Sequence, residues 1–277
     1  MGTGNTEFRS MKIQYFLIGI CFFLAGLGKM YAQQIQPLLI GVDHISVSRQ
    51  GNIFAALSKG DVLMLDSSGK IVQRFSPRKP ARIHLLEAWN GLRILAFSRD
   101  FQSYFLLDRF LLSDGPVSLE NDNGGYIRLL APSQDGNLWV FDEATFQLKK
   151  INQANGNNIF YTPLDLVLSG KLHELSFMRE YQNQLYIADK LGQILVFDQT
   201  GTFRKKLPLE NCSWFGFEGE ELLMVQHGEV IRYHPFSLMM RKEPLPEGLK
   251  DASELFRLND KYWVLQKGEL IRVEKGR

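Results

Sequence analysis

Of the 277 residues, 32 are Lys or Arg and 30 are Asp or Glu, a formal charge of +2, with 45% hydrophobic and 22% charged positions. That balance excludes a disordered polyelectrolyte and suffices for the core of one large domain or two small ones. The first 32 residues hold Arg9, Lys12 and Lys29 against Glu7 alone, which leaves 29 residues of each sign beyond them. A neutral body gives no reason to expect nucleic acid as a partner.

At the N-terminus, Lys12 precedes the unbroken apolar run YFLIGICFFLAGLG (Tyr15 to Gly28), and KMYAQQ follows. A positive flank, a short apolar stretch and a small residue before a polar start describe a secretory signal peptide. Residues 1–32 are therefore expected to be a leader cleaved after Ala32, with Met11 as an alternative start. The run of 14 residues is shorter than the roughly 18–20 that cross a bilayer. An uncleaved N-terminal anchor stays open as the alternative. Cys21 follows Leu17-Ile18-Gly19-Ile20, without the small residues expected before a lipidated cysteine. The expected location is secreted or periplasmic, with no membrane insertion after cleavage. Cys212 is then the one remaining thiol, so stability rests on packing rather than on a disulfide.

Beyond the leader, IQPLLI (Ile35 to Ile40) reads as a strand without an adjacent partner. The next stretch gives four strands: HISVS, NIFAAL, VLMLD and KIVQRF. SKGD (Ser58 to Asp61) and DSSGK (Asp66 to Lys70) form the turns between them, each with the Gly that a tight hairpin needs. LHELSFM, QLYIAD, QILVFD and TFRKKL repeat the arrangement further along. ELFRL, KYWVLQ and ELIRVEK close the chain with three strands, and no segment sustains a helical period.

Aligning the polar turn and apolar strand of QGNIFAAL, NGLRILAF, DGNLWVFD, QNQLYIAD, GEELLMVQ and NDKYWVLQ fixes the repeat. The equivalent positions Gly51, Leu92, Gly136, Asn183, Glu220 and Asp260 are spaced by 41, 44, 47, 37 and 40 residues. Six units of this length predict an all-β, six-bladed β-propeller over residues 33–277, each unit a four-stranded blade. The last unit lacks one strand, and the N-terminal segment is expected to supply it and close the ring. Closure would pair two edges otherwise open to aggregation, and an outer edge tolerates Pro37.

LYIADKLGQILVFDQTG (Leu185 to Gly201) resembles an NHL repeat, with SKGDVLMLDSSG and DGNLWVFDEAT as weaker copies. The resemblance implies a six-bladed propeller, in agreement with the count of units. It fixes no site residue.

QHGEVIRYHP collects His227, Glu229 and His234, residue types that ligate zinc. The same slot recurs as SKGDVLML, KLGQILVF and QKGELIRV, where Lys59, Leu191 and Lys267 replace His227. A residue set by repeat geometry needs no catalytic explanation. His234 is expected at the far end of a strand of about five residues, at about 3.3 Å each, too distant to share an ion with His227. NDNGG (Asn121 to Gly125) lacks the spacing and terminal Glu of a calcium loop. No P-loop or nucleophile elbow is present.

In a propeller, the loops entering the inner strands and those joining second to third strands share one face. The inner-strand entrances carry Asp43 and His44, Arg82 and His84, Tyr126 and Arg128, His173 and Glu174, Ser213 and Trp214, and Ser253 and Glu254. The expected ligand-binding set at the channel mouth is thus His44, Arg82, His84, Tyr126, Arg128, His173, Glu174, Trp214, His227 and Glu254. No catalytic residue, metal ligand or cofactor is assigned. The first reading is a monomeric, non-catalytic module that binds a protein, peptide or glycan. The second is a metal-dependent hydrolase or lyase resembling gluconolactonase-type propellers, with Glu174, Glu254 and Asp43 as carboxylates. A structural subunit of an envelope complex is a third.

Overall fold

The computed structural model describes residues 36–88, 93–120, 125–168 and 172–274. The leader expected over 1–32 and positions 121–124 of NDNGG lie outside these residues. Every described element is a strand. The chain opens with β1 (Pro37–Ile40) and continues into blade 1, made of β2 (Val42–Val47), β3 (Ile53–Leu57), β4 (Val62–Leu65) and β5 (Ile71–Phe75). Blade 2 is β6 (Leu85–Glu87), β7 (Ile94–Ser98), β8 (Ser103–Leu107) and β9 (Pro116–Ser118). Blade 3 is β10 (Ile127–Pro132), β11 (Leu138–Asp142), β12 (Gln147–Ile151) and β13 (Asn158–Pro163). Blade 4 is β14 (Leu175–Tyr181), β15 (Gln184–Asp189), β16 (Gln193–Asp198) and β17 (Phe203–Glu210). Blade 5 is β18 (Gly216–Glu218), β19 (Glu221–Gln226), β20 (Glu229–Tyr233) and β21 (Met240–Pro244). Blade 6 joins β22 (Ala252–Leu258), β23 (Lys261–Gln266) and β24 (Glu269–Glu274), with β1 antiparallel to β24 on its outer side.

These six four-stranded antiparallel sheets form a β-propeller. Burial follows the radial position of each strand. The second strands are buried on both faces, as in IFAAL, ILAFS and LWVFD, because the neighbouring blades cover them. Outer strands such as β9 and β21 are mostly exposed and carry the polar or Pro residues that blunt an edge. Trp139 and Trp263 are fully buried in second strands, and Phe256 stacks on Trp263 with centroids 6.1 Å apart.

Turn chemistry repeats with the blades. Asp66 Oδ1 accepts the main-chain N–H of Ser68 (2.9 Å) and Lys70 (3.0 Å), and Asp198 Oδ1 does the same for Thr200 (2.9 Å) and Thr202 (3.0 Å). Gly69 and Gly201 then take positive φ values of 92° and 75°. In blade 5, His234 stands at this position: its Nδ1 accepts the N–H of Phe236 and of Ser237, both at 3.2 Å. His234 thus closes a hairpin where other blades use Asp. His227 lies at the opposite end of β20, exposed and with φ 52°, in the turn where Gln226 pairs with Glu229.

Candidate binding site at the channel mouth

The inner strands of four blades share one irregularity. Register slips between Val42 and His44, Ile127 and Leu129, Leu175 and Phe177, and Ala252 and Glu254. Each slip is a bulge at the strand entrance, and a bulge re-aims side chains that strict alternation would send to opposite faces. Consecutive residues therefore reach the channel: Asp43 with His44, Ser176 with Phe177, and Ser253 with Glu254 all line one depression of about 470 Å³ at its mouth.

Six of the ten residues expected at the mouth line this depression: His44, Arg82, His84, Arg128, Trp214 and Glu254. Four do not. Tyr126 is exposed outside it, and His227 sits in its hairpin turn. His173 and Glu174 precede β14, because that strand starts at Leu175, three residues later than the LHELSFM pattern suggests. They line a neighbouring depression of about 300 Å³ with Arg128 and Leu191. Asp189 fixes this connection, its Oδ1 accepting the N–H of Glu174 (2.9 Å) and of Leu191 (3.1 Å) and its Oδ2 facing His173 Nδ1. The mouth also holds Arg99 and Lys190, which lie off the inner strands, and Ser176 and Phe177 of β14, which the expected entrance positions do not include. Arg99 and Lys190 follow second strands, and the shared face of those turns was the signal that could have located them.

Charge at the mouth is arranged in pairs, some between blades and some within one. His44 Nδ1 lies 2.6 Å from Glu254 Oε1, while Glu254 Oε2 accepts the Ile45 N–H at 2.8 Å. Burial draws the His44 pKa down, but the Glu254 charge and hydrogen bond, with Asp43 behind them, carry it above the ordinary imidazole value. Arg82 Nε meets Asp43 at 3.1 Å, and Arg128 Nη1 meets Glu143 at 3.0 Å. His84 differs. Burial and then the Arg99 charge lower its pKa, against the pull of Asp100. Its Nδ1 accepts the Arg99 N–H at 3.2 Å, which suits a neutral ring protonated at Nε2. The three carboxylates considered for a metal ring do not converge, because Glu174 lies outside the mouth, paired with Lys190 at 2.7 Å. Asp43 and Glu254 each already face a base.

Beneath the mouth the channel narrows. Arg179 of β14 donates from Nε to Glu87 of β6 at 2.6 Å and from Nη1 to the Phe215 carbonyl at 3.0 Å. Its guanidinium lies 5.1 Å from the Phe177 ring centroid and 5.6 Å from that of Trp214. The space bounded by Arg179, Ser46, Trp214 and Gly216 is about 20 Å³. A ligand at the mouth thus meets a floor of Arg179 and aromatic rings.

No protein-family model matches the chain, and no curated sequence does. Among solved structures it is similar to a streptogramin B lyase structure, with a TM-score of 0.59 and 16% identity over 82% of this chain and 77% of that one. It is also similar to the Cps50 (Swd1) β-propeller domain of Myceliophteria thermophila, with a TM-score of 0.55 and 16% identity over 82% and 81% of the two chains. A structure of YCF48 bound to D1 peptide gives a TM-score of 0.53 and 14% identity over 83% and 78%. At these identities the likeness establishes the fold, a six-bladed β-propeller, and lyase and peptide-bound proteins both occur among the similar structures.

Proposed function

We propose that the chain is an exported, non-catalytic propeller of NHL-like type that binds a protein or peptide segment at the channel mouth. The observation that carries this reading is a preformed depression of about 470 Å³ in which Leu175, Phe177 and Trp214 stand beside ion pairs from several blades. Its volume and mixed lining are those of ordinary ligand sites. Its carboxylates are held against His44 and Arg82, which leaves neither free to serve as a general base. The peptide-bound YCF48 structure lends support by fold alone. The leader pattern around Lys12 supports export.

The second reading, a metal-dependent hydrolase or lyase, draws on the likeness in fold to streptogramin B lyase. Stoichiometric metal in the purified protein would favour it. The binding reading is tested by panning peptide and glycan libraries on the purified protein. Ser213→Trp fills the depression from an exposed position and is expected to weaken any hit by about tenfold or more. Tyr126→Ala, outside the depression, is the control. Hits indifferent to Ser213→Trp would remove the mouth as the binding surface.

A further inference from the structure

Five basic side chains surround the mouth besides the neutral His84, and four have a carboxylate beside them. Arg82 has Asp43 (3.1 Å), His44 has Glu254 (2.6 Å), Arg128 has Glu143 (3.0 Å) and Lys190 has Glu174 (2.7 Å). Arg99 has none in ion-pairing contact among the described residues, and its Nε is buried without a hydrogen-bond partner. Burial, and then the neighbouring Arg128 charge, hold the Arg99 guanidinium below its ordinary pKa, while Glu143 and Asp100 act on it only as weaker opposing charges. A half-buried cation packed near a second cation is unfavourable until a counter-charge arrives.

We infer that the mouth recognises an anionic group held by Arg99, and that this group is a carboxylate of an acidic peptide segment. The inference rests on the binding reading above and names its ligand chemistry. A guanidinium presents two parallel N–H donors that match one carboxylate. One uncompensated cation calls for one negative charge. A sulfated glycan carries a run of charges, which would meet Asp43 and Glu254 across the same mouth. Beside Arg99, Leu175, Phe177 and Trp214 offer apolar surface to the side chains that flank such a carboxylate.

The test titrates the purified protein with capped hexapeptides that carry one central Glu between Leu and Phe, with their Gln counterparts, and with a sulfated disaccharide. The Glu peptide is expected to bind about tenfold more tightly than the Gln peptide, as a charge-assisted pair should. That preference disappears in Arg99→Gln, survives in part in Arg99→Lys, and shrinks as salt rises. Arg99→Gln removes an uncompensated charge, so an unchanged or raised melting temperature certifies its fold. Equal binding of both peptides, indifferent to Arg99→Gln, overturns the anion assignment and leaves the binding reading standing. Arg99-dependent binding of the disaccharide with inert peptides overturns the peptide. Failure of every probe and of library panning overturns both readings.

Discussion

Glu87 and Arg179 form a buried ion pair between blades 2 and 4, and removing one partner should unsettle the whole ring. Their side chains are 4% and 9% exposed, and Nε lies 2.6 Å from Oε2. In Glu87→Ala, Arg179 keeps its bond to the Phe215 carbonyl and its place by the Phe177 and Trp214 rings. It loses its counter-ion. An uncompensated buried charge costs about 3–5 kcal/mol, and a domain of this size loses about 2–4 °C of melting temperature per kcal/mol, so a fall of about 6–20 °C is expected. The pair itself is not the best filling for the space. Replacing both residues, as Glu87→Leu with Arg179→Met, should therefore recover most of the loss, because no charge is left stranded. Thermal melts followed by circular dichroism on wild type, Glu87→Ala, Glu87→Leu, Arg179→Met and the double variant complete the cycle. A Glu87→Ala shift within about 2 °C of wild type, or a double variant no better than the worse single one, would refute the reasoning.

Three further outcomes follow from particular contacts. The two mouth histidines should titrate on opposite sides of the ordinary imidazole value of 6.5, His44 above and His84 below, which ring-resonance NMR across pH 5 to 9 reads directly. Since the folded state holds the His44 proton more tightly than the unfolded chain, its contribution to stability is complete below 6.5 and declines as pH rises through the folded value. His84 acts in reverse, its penalty growing as pH falls below 6.5; unfolding of His44→Gln and His84→Gln against wild type should diverge with these signs. Gly60→Ala would place a Cβ 2.1 Å from the Ala81 carbonyl oxygen at a φ of +90°, and melts should register a loss of at least about 1–3 kcal/mol. Burial pushes the Cys212 thiol up to about 12, so it should resist a thiol reagent at pH 8 in the folded protein and react once denaturant is added.

The fold was legible because propeller blades repeat local chemistry. Gly60 and Gly69 take the positive φ values of 90° and 92° that SKGD and DSSGK imply. The second strands are apolar on both faces, a pattern that six aligned segments made visible. His234 shows the same logic at one residue. Its imidazole Nδ1 accepts two main-chain N–H groups as the Asp66 and Asp198 carboxylates do elsewhere. A metal-ligand spelling was therefore a turn spelling with one acceptor exchanged for another.

The site was only half legible, and the bulges explain which half. Strict alternation assigns one inward residue per two positions, so it cannot bring both Ser176 and Phe177 to the mouth; the slip between Leu175 and Phe177 does. The same shift leaves His173 and Glu174 in the connection, where Asp189 holds them. Charge balance was hidden for a different reason. The His44–Glu254 pair joins residues 210 positions apart, and the Arg82–Asp43 pair joins residues 39 apart. In the sequence, then, every basic residue at these entrances looks equally free. Only once folding brings each carboxylate to its partner does Arg99 stand out, as the basic residue of the mouth with no carboxylate in ion-pairing contact among the described residues. That remainder can be found only by subtraction, after the pairs within and between blades have formed.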